Sequence, residues 1–342
     1  MAVKTLFIRQ APAVLEVADG QTLLEAALAQ DVPYPHGCRA GRCGACKSRL
    51  VAGEVDLLPH SRHALTDDEK AGGLILACRA VPRTDVAVAW VASDLAALPP
   101  SCMREGVVLS IDALTHDIRR VRIGLTDGAP LAFAAGQYAD IRFGNAPARS
   151  YSMANPPGDP VLEFHIRRVP GGVVSGHVHT VLKPGDPVTL EIPRGASHLR
   201  DGHCGPMLCL AGGSGLAPIK AIVETALALG MRQPIHVYFG AREEHDLYLT
   251  GHFQDLARRH ANLCFVPVLS EARATRHRRG LVTRAAAEDL PRLHGWKVYA
   301  AGPPAMVDAA MEMAFARGLA AEDLHADVFF TPDALAPAGG EA

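Results

Sequence analysis

Four cysteines in the first quarter of the chain carry the most specific chemistry in the sequence. Cys38, Cys43 and Cys46 fall within nine positions of the stretch YPHGCRAGRCGACKSRL (residues 34–50), and Cys78 follows after thirty-one intervening residues. Four thiolates at this spacing form the ligand pattern of a plant-type [2Fe–2S] cluster. A loop that wraps a compact anionic cluster must turn its N–H groups inward, and Gly37, Gly41 and Gly44 supply the unusual backbone angles for that wrap. A structural zinc site would more naturally use two Cys-x2-Cys pairs, and only one is present. Arg39, Arg42, Lys47 and Arg49 surround the loop. They read either as a solvated rim that offsets cluster charge or as a docking surface for an acidic electron partner. Cys102, Cys204, Cys209 and Cys264 are scattered and read as ordinary core residues.

A second set of residues is suited to a flat anionic cofactor. In ARSYSMAN (148–155), Arg149 can pair with a phosphate, Tyr151 can stack on a ring and Ser152 can offer a hydroxyl. Further along, FHIRRVPGGVVSGHV places Gly171 and Gly172 before a Val-Val-Ser helix start, whose N–H groups suit a pyrophosphate. A plain hairpin turn would use the same glycine pair. Next, in LCLAGGSGLAPIKAIVE, Gly213-x-Gly215-x-x-Pro218 follows an apolar strand and precedes a helix. Its third position is Pro, so the ordinary dinucleotide fingerprint is only partly met. Proline is tolerated in the first helical turn, where its missing N–H costs nothing. At the end of the next strand Arg242 could meet a 2′-phosphate, whereas Glu243, Glu244 and Asp246 would oppose one. That balance leans to NADH over NADPH, although the two glutamates read equally well as solvated helix-start charges.

These residues must be positioned by elements of three kinds. The N-terminal run shows two strands, VKTLFIR and AVLEVAD, then a helix over QTLLEAALAQ with Thr22 near its start. This makes a small α+β unit of roughly ninety residues. ASDLAALPPSCMREG, with its Pro pair, reads as a linker. From Val107 to about Pro193, short alternating runs indicate an antiparallel barrel. After GPMLCLAGG, strands alternate with helices, the signature of a parallel sheet. The tail PDALAPAGGEA is rich in Pro, Ala and Gly and reads as flexible. With 342 residues and a net charge of −2, the chain lacks the basic excess of a nucleic-acid binder. No run is long enough to span a membrane and no signal-peptide core is evident, so a cytoplasmic protein is expected.

Taken in order, the cysteine loop, Arg-x-Tyr-Ser, HIRRVPGG, GGSGLAP, YFGAR with DLY, and AGPPAMV cover nearly the whole chain. Together they resemble the reductase components of multicomponent aromatic-ring (naphthalene-type) dioxygenases. That group lies within the ferredoxin–NADP reductase superfamily and carries an N-terminal plant-type ferredoxin domain. The resemblance implies a β-grasp ferredoxin domain (1–93), a linker (94–104), an FAD-binding β-barrel (105–203), an NAD(P)-binding α/β domain (204–333) and a tail (334–342). It implies FAD, a [2Fe–2S] cluster and NADH as cofactors, with NADPH possible. It assigns Cys38, Cys43, Cys46 and Cys78 to the cluster. Arg149, Tyr151, Ser152, His165, Ile166, Gly172, Val173 and Val174 fall to the flavin. Gly213, Gly215, Pro218, Arg242, Gly302 and Pro303 fall to the nicotinamide nucleotide. Ser152, and Phe329 in Asp327-Val328-Phe329, are placed at the reacting end of the flavin. One departure stands out: the family often has Cys in the position of Ala301, which predicts altered rate or geometry with the reaction retained. The expected partner is a ferredoxin or a terminal oxygenase, with no nucleic acid and no membrane. Reductases of soluble diiron monooxygenases or of a sugar dehydratase, a non-catalytic redox sensor, and a zinc-bearing binding module are the competing readings.

Overall fold

The structure is a computed structural model, and it describes residues 3–37, 39–41, 43–62, 64–91 and 98–330. Two compact units divide near residue 98. The residues expected to form the flexible tail (334–342), and 94–97 of the expected linker, lie outside the described residues.

In the first unit, β1 (Lys4–Ile8) and β2 (Ala11–Val17) form an antiparallel hairpin, followed by α1 (Leu23–Ala29). Thr22 and Glu25 close a reciprocal capping box, which satisfies two N–H groups that the first helical turn leaves without partners. Then come β3 (Lys47–Ala52), β4 (Val55–Leu57), α2 (Asp67–Ala71), β5 (Leu74–Leu76), β6 (Ala80–Pro82) and β7 (Val86–Trp90). Five strands make one sheet in the order β2-β1-β7-β3-β5, with β1 and β7 parallel. Leu23, Leu24, Ala26 and Ala27 of α1 are buried on its core with Leu6, Ile8 and Val88. This is the β-grasp arrangement, and it holds the cysteine loop between α1 and β3.

The second unit contains two layered bodies. β8 (Cys102–Ala113), β9 (Ile118–Leu125), β10 (Tyr138–Phe143), β11 (Arg149–Ser152), β12 (Val161–Arg167) and β13 (Pro187–Arg194) pair in the order β11-β10-β13-β8-β9-β12. A Met153–Phe164 bridge joins the two end strands and nearly closes the barrel. β8 begins at Cys102, within the stretch expected to be linker, because its first residues pair with β13 at Ile192 and Glu191. The Arg-x-Tyr-Ser stretch is itself a strand, which its polar composition concealed. Helix α3 (Val173–Thr180) covers one end of the barrel.

β14 (Met207–Gly212), α4 (Leu216–Ala228), β15 (Ile235–Ala241), α5 (Thr250–Arg259), β16 (Leu263–Leu269), β17 (Arg278–Arg279), α6 (Val282–Asp289), β18 (Lys297–Gly302), α7 (Pro304–Phe315) and β19 (Leu324–Val328) follow. Six strands, all parallel, lie in the order β17-β16-β15-β14-β18-β19. Every residue of β14 is buried, as expected of a central parallel strand covered on both faces. The strand order reverses between β14 and β18, and open α/β sheets bind ligands beyond the carboxyl ends of strands at such a point. No helix among the described residues is long and apolar enough to cross a membrane.

Candidate functional site

The cysteine loop buries three of its four expected ligands and brings two of them, Cys46 and Cys78, into contact. Cys43, Cys46 and Cys78 are 8%, 3% and 5% exposed, and none is half of a disulfide. The Cys78 N–H donates to the Cys46 sulfur at 3.5 Å. Gly41 and Gly44 have φ of 71° and 73°, a region that side chains resist, so the wrap depends on glycine there. Buried thiols with a backbone donor aimed at sulfur suit an anionic iron–sulfur cluster. Cys38 and Arg42 lie outside the described residues. The expected basic rim is thinner than four cations, because Lys47 is tied to Glu69 at 2.6 Å and mostly buried. Arg49 donates to the Gly72 carbonyl at 2.8 Å, and Arg39 is exposed. Among the other cysteines only Cys209 is buried, where burial pushes its thiol up to about 12; Cys102, Cys204 and Cys264 are exposed, contrary to the core reading. Cys204 lies in the loop before β14, and Cys264 falls at an exposed position of β16.

At the carboxyl end of the parallel sheet, the barrel meets the strands that carry the glycine loop. The Ser152 hydroxyl donates to Asp327 Oδ2 at 2.5 Å, linking residues 175 positions apart. Asp327 pairs in register with Ala301, and Phe329 N–H donates to the Gly302 carbonyl at 2.9 Å. Ser152, Asp327, Ala301, Gly302 and Phe329 therefore converge at one point. Alternation along β11 sends Arg149 and Tyr151 to the face opposite Ser152. Arg149 is exposed, and burial raises the Tyr151 hydroxyl, whose ring lies 6.3 Å from that of Phe143.

Gly172 caps α3, no side-chain hydrogen bond caps that helix start, and Val173 in its first turn is exposed. Val174 turns into the core instead. The glycine loop forms one 3-10 turn, Gly213–Gly215, which runs into α4 with Pro218 in the first turn, again without a side-chain cap. A β-carbon on Gly215 would overlap the Ala301 carbonyl, so the loop after β14 packs backbone to backbone against β18. Two uncapped helix starts, each reached through glycine, suit the phosphates of two dinucleotides.

Buried charges join the two bodies. Glu163 accepts from Arg122 Nε at 3.2 Å and from His165 Nε2 at 3.1 Å, and Lys220 Nζ stands 3.6 Å away. Burial alone would raise the Glu163 carboxyl, but the His165 N–H, Lys220 and Arg122 outweigh it and hold it at about 2. Burial pushes His165 below its ordinary value, with Glu163 offsetting only part of that. Lys220 also donates to the Ala154 carbonyl at 3.0 Å and to Glu224 at 3.1 Å. On its other side, His165 Nδ1 lies 3.2 Å from the Tyr248 hydroxyl, which reaches the Gly213 carbonyl at 3.3 Å. His165 thereby bridges the barrel to the glycine loop through Tyr248. Tyr248, Glu163 and Lys220 drew no role from sequence reasoning. The DLY triplet and the Lys220/Glu224 spacing of four were the visible signals.

A cavity of about 230 Å³ opens between the two bodies, lined by Arg167, Gly213, Arg242, Pro303 and Met306 among others. Ligand pockets usually run from about 300 Å³ upward, so this one suits one end of an extended molecule. Arg167 donates to Asp117 at 2.7 Å on its wall. Arg242 is about half exposed, with its Nε 3.7 Å from Asp246 Oδ2. Glu243 N–H donates to Asp246 at 3.1 Å, and Glu244 accepts from Thr275 at 2.7 Å. Asp246 and Glu243 thus cap a short 3-10 turn, whereas the helix-start reading names Glu243 and Glu244.

Family profiles match three stretches of the chain. They are the 2Fe-2S iron-sulfur cluster binding domain at residues 6–83, the oxidoreductase FAD-binding domain at 105–199 and the oxidoreductase NAD-binding domain at 209–312. A Ralstonia sp. ferredoxin–NAD(P)+ reductase component of naphthalene 1,2-dioxygenase/salicylate 5-hydroxylase systems is 42% identical, over 92% of this chain and 95% of its own length. The Pseudomonas putida reductase component of the naphthalene 1,2-dioxygenase system is 37% identical over 95% and 98%. Among solved structures, an Amycolatopsis cytochrome P450 reductase superposes with a TM-score of 0.76 at 38% identity, covering 95% of this chain and 98% of that one.

Proposed function

Because the chain belongs to the family of NAD(P)H-dependent reductase components built from [2Fe–2S], FAD-binding and NAD-binding domains, we propose the following path. Electrons enter from NADH and leave through the iron–sulfur domain to a ferredoxin or terminal oxygenase of an aromatic-ring dioxygenase system. The observation that carries this reading is the convergence of Ser152, Asp327, Gly302 and Phe329 where the barrel meets the switch point of the parallel sheet. FAD supplies the conversion of a two-electron donor into single electrons, which a [2Fe–2S] cluster accepts one at a time.

The chain's own residues bind, orient and insulate. Arg149 and the uncapped start of α3, with His165, Ile166, Gly172, Val173 and Val174, hold the flavin. Gly213, Gly215 and Pro218 with the start of α4 hold the coenzyme pyrophosphate, while Gly302 and Pro303 border the nicotinamide. Ser152, fixed by Asp327, and Phe329 flank the reacting end. Ala301 offers no thiol there. Cys38, Cys43, Cys46 and Cys78 hold the cluster, and Arg39 faces the acceptor. A cytoplasmic location is supported by the clustered thiols and the pyridine-nucleotide donor. A second acceptor class, a cytochrome P450, is supported by the likeness to the Amycolatopsis reductase.

An anaerobic visible spectrum before and after stoichiometric NADH tests the path. Bleaching of both flavin and iron–sulfur absorbance is expected. Chromophores left oxidised by both NADH and NADPH would overturn it. Turnover with purified dioxygenase ferredoxin, set against purified P450, separates the two acceptors.

A further inference from the structure

We propose that His116, His245 and Asp246 form a binding site for a divalent transition-metal ion of the zinc class, at the rim of the coenzyme cavity. His116 lies in the turn between β8 and β9 of the barrel, whereas His245 and Asp246 lie in the 3-10 turn after β15. One nitrogen of each ring stands 3.7 Å from the same oxygen, Asp246 Oδ1, and all three donor atoms fall within 4.8 Å of one another. Among the described residues no other group of three such donors is this close.

The carboxylate provides the second line of argument. Asp246 is only 8% exposed, and its Oδ2 accepts from the Glu243 N–H while Arg242 stands on that side. Its Oδ1 is buried without a hydrogen-bond partner. A buried acceptor left unpaired is destabilising. The two imidazoles at 3.7 Å are too far to supply the missing bond. An ion between the three donors satisfies that oxygen.

The spacing of each imidazole from the carboxylate is close to that around a tetrahedral ion. Metal–nitrogen and metal–oxygen bonds of about 2.0–2.2 Å put neighbouring donors roughly 3.3–3.5 Å apart. The 3.7 Å spacings need to close by only a few tenths of an ångström. Both rings can make that movement, since their side chains are 52% and 61% exposed on turns. Glu243 Oε2 lies 3.4 Å from His245 Nδ1, on the far side of the ring from Asp246. A carboxylate there fixes the tautomer and leaves Nε2 for the metal, the usual outer partner of a metal-bound histidine. Two imidazoles and one carboxylate select zinc, nickel or cobalt over magnesium and calcium, which take oxygen. The fourth position opens to solvent. Occupied, the site ties the barrel turn to the coenzyme-binding turn.

Calorimetric titration of the full, cofactor-loaded chain with zinc sulfate, after chelator treatment and desalting, tests the site. One binding event is expected, weakened ~10–100-fold or more in both His116→Ala and His245→Ala, with the visible spectrum unchanged. Zinc X-ray absorption of the loaded wild type should then show nitrogen and oxygen neighbours alone. No zinc event in the wild type, an equal event in both variants, or sulfur neighbours that place zinc on the cysteines would each overturn the proposal.

Discussion

The cysteine loop and the seam between barrel and parallel sheet, the two places where we propose that cofactors bind, are constructed in opposite ways. The loop uses side-chain chemistry drawn from a short stretch: three buried thiols between Cys43 and Cys78, shaped by glycines at positive φ. The seam uses backbone and long reach, with Ser152 meeting Asp327 across 175 positions and Gly215 pressed against Ala301. A site made of ligating side chains is confined to the few residue types that can ligate. A site made of backbone leaves only glycines and prolines behind. The two regions should therefore fail differently when broken.

Replacing one ligand tests the loop alone. Cys46→Ser should abolish cluster absorbance and drop NADH-driven cytochrome c reduction to background, while flavin reduction by NADH survives. Loss of flavin reduction as well would mean the two ends are not separable. Gly215→Ala tests the other side. The added methyl must displace the Ala301 carbonyl, an overpacking cost of roughly 1–3 kcal/mol. A lower thermal midpoint and a raised KM for NADH are expected, with cluster absorbance unchanged. An unaltered KM would show that this contact does not shape the coenzyme site.

That contrast also explains what could be read beforehand. The three kinds of architecture followed from periodicity, and the cysteine pattern from spacing, because hydrophobic alternation and thiol spacing are local properties. The extent of β8 was misread, since Cys102 and Met103 look like linker until β13 is there to pair with them. Arg149–Ser152 read as a cofactor motif but not as a strand, because its register is set by β10 rather than by its own composition. Lys47 counted as a surface cation until Glu69, brought close by folding, claimed it. Glu163, Lys220 and Tyr248 stayed hidden for the same reason. Each is an ordinary residue whose importance arises only from partners far along the chain.

Tyr248→Phe sharpens the comparison within the seam. The ring keeps its edge contacts with His165 and Phe239, at 5.3 and 5.5 Å, while the hydroxyl between His165 and Gly213 is lost. With His165 neutral and donating from Nε2 to Glu163, its Nδ1 and the Gly213 carbonyl are both acceptors for the one hydroxyl proton. One buried hydrogen bond is therefore lost, so destabilisation of about 1–3 kcal/mol is expected, read as a lower thermal midpoint. A midpoint equal to wild type would mean that the hydroxyl does not couple barrel and glycine loop.

The smallest effect expected concerns pH, and it too separates the regions. Burial holds His165 below its ordinary value of 6.5, so the unfolded chain takes up a proton near pH 6.5 that the folded chain refuses. Stability contributed by the neutral ring is complete above pH 6.5 and is lost as pH falls toward the lower folded value. His325, stacked 5.1 Å from Tyr299, is depressed in the same sense, again by burial first. Glu163 adds a later loss, because its carboxyl stays ionised down to about 2 in the folded chain against an ordinary 4.5. The thermal midpoint followed by circular dichroism should thus be level above pH 7, decline below 6.5 and decline further below 4.5. His165→Gln should flatten the first decline without removing it, since His325 remains. A slope unchanged in that variant would move the pH sensitivity away from the seam and leave its buried charges with a purely structural part.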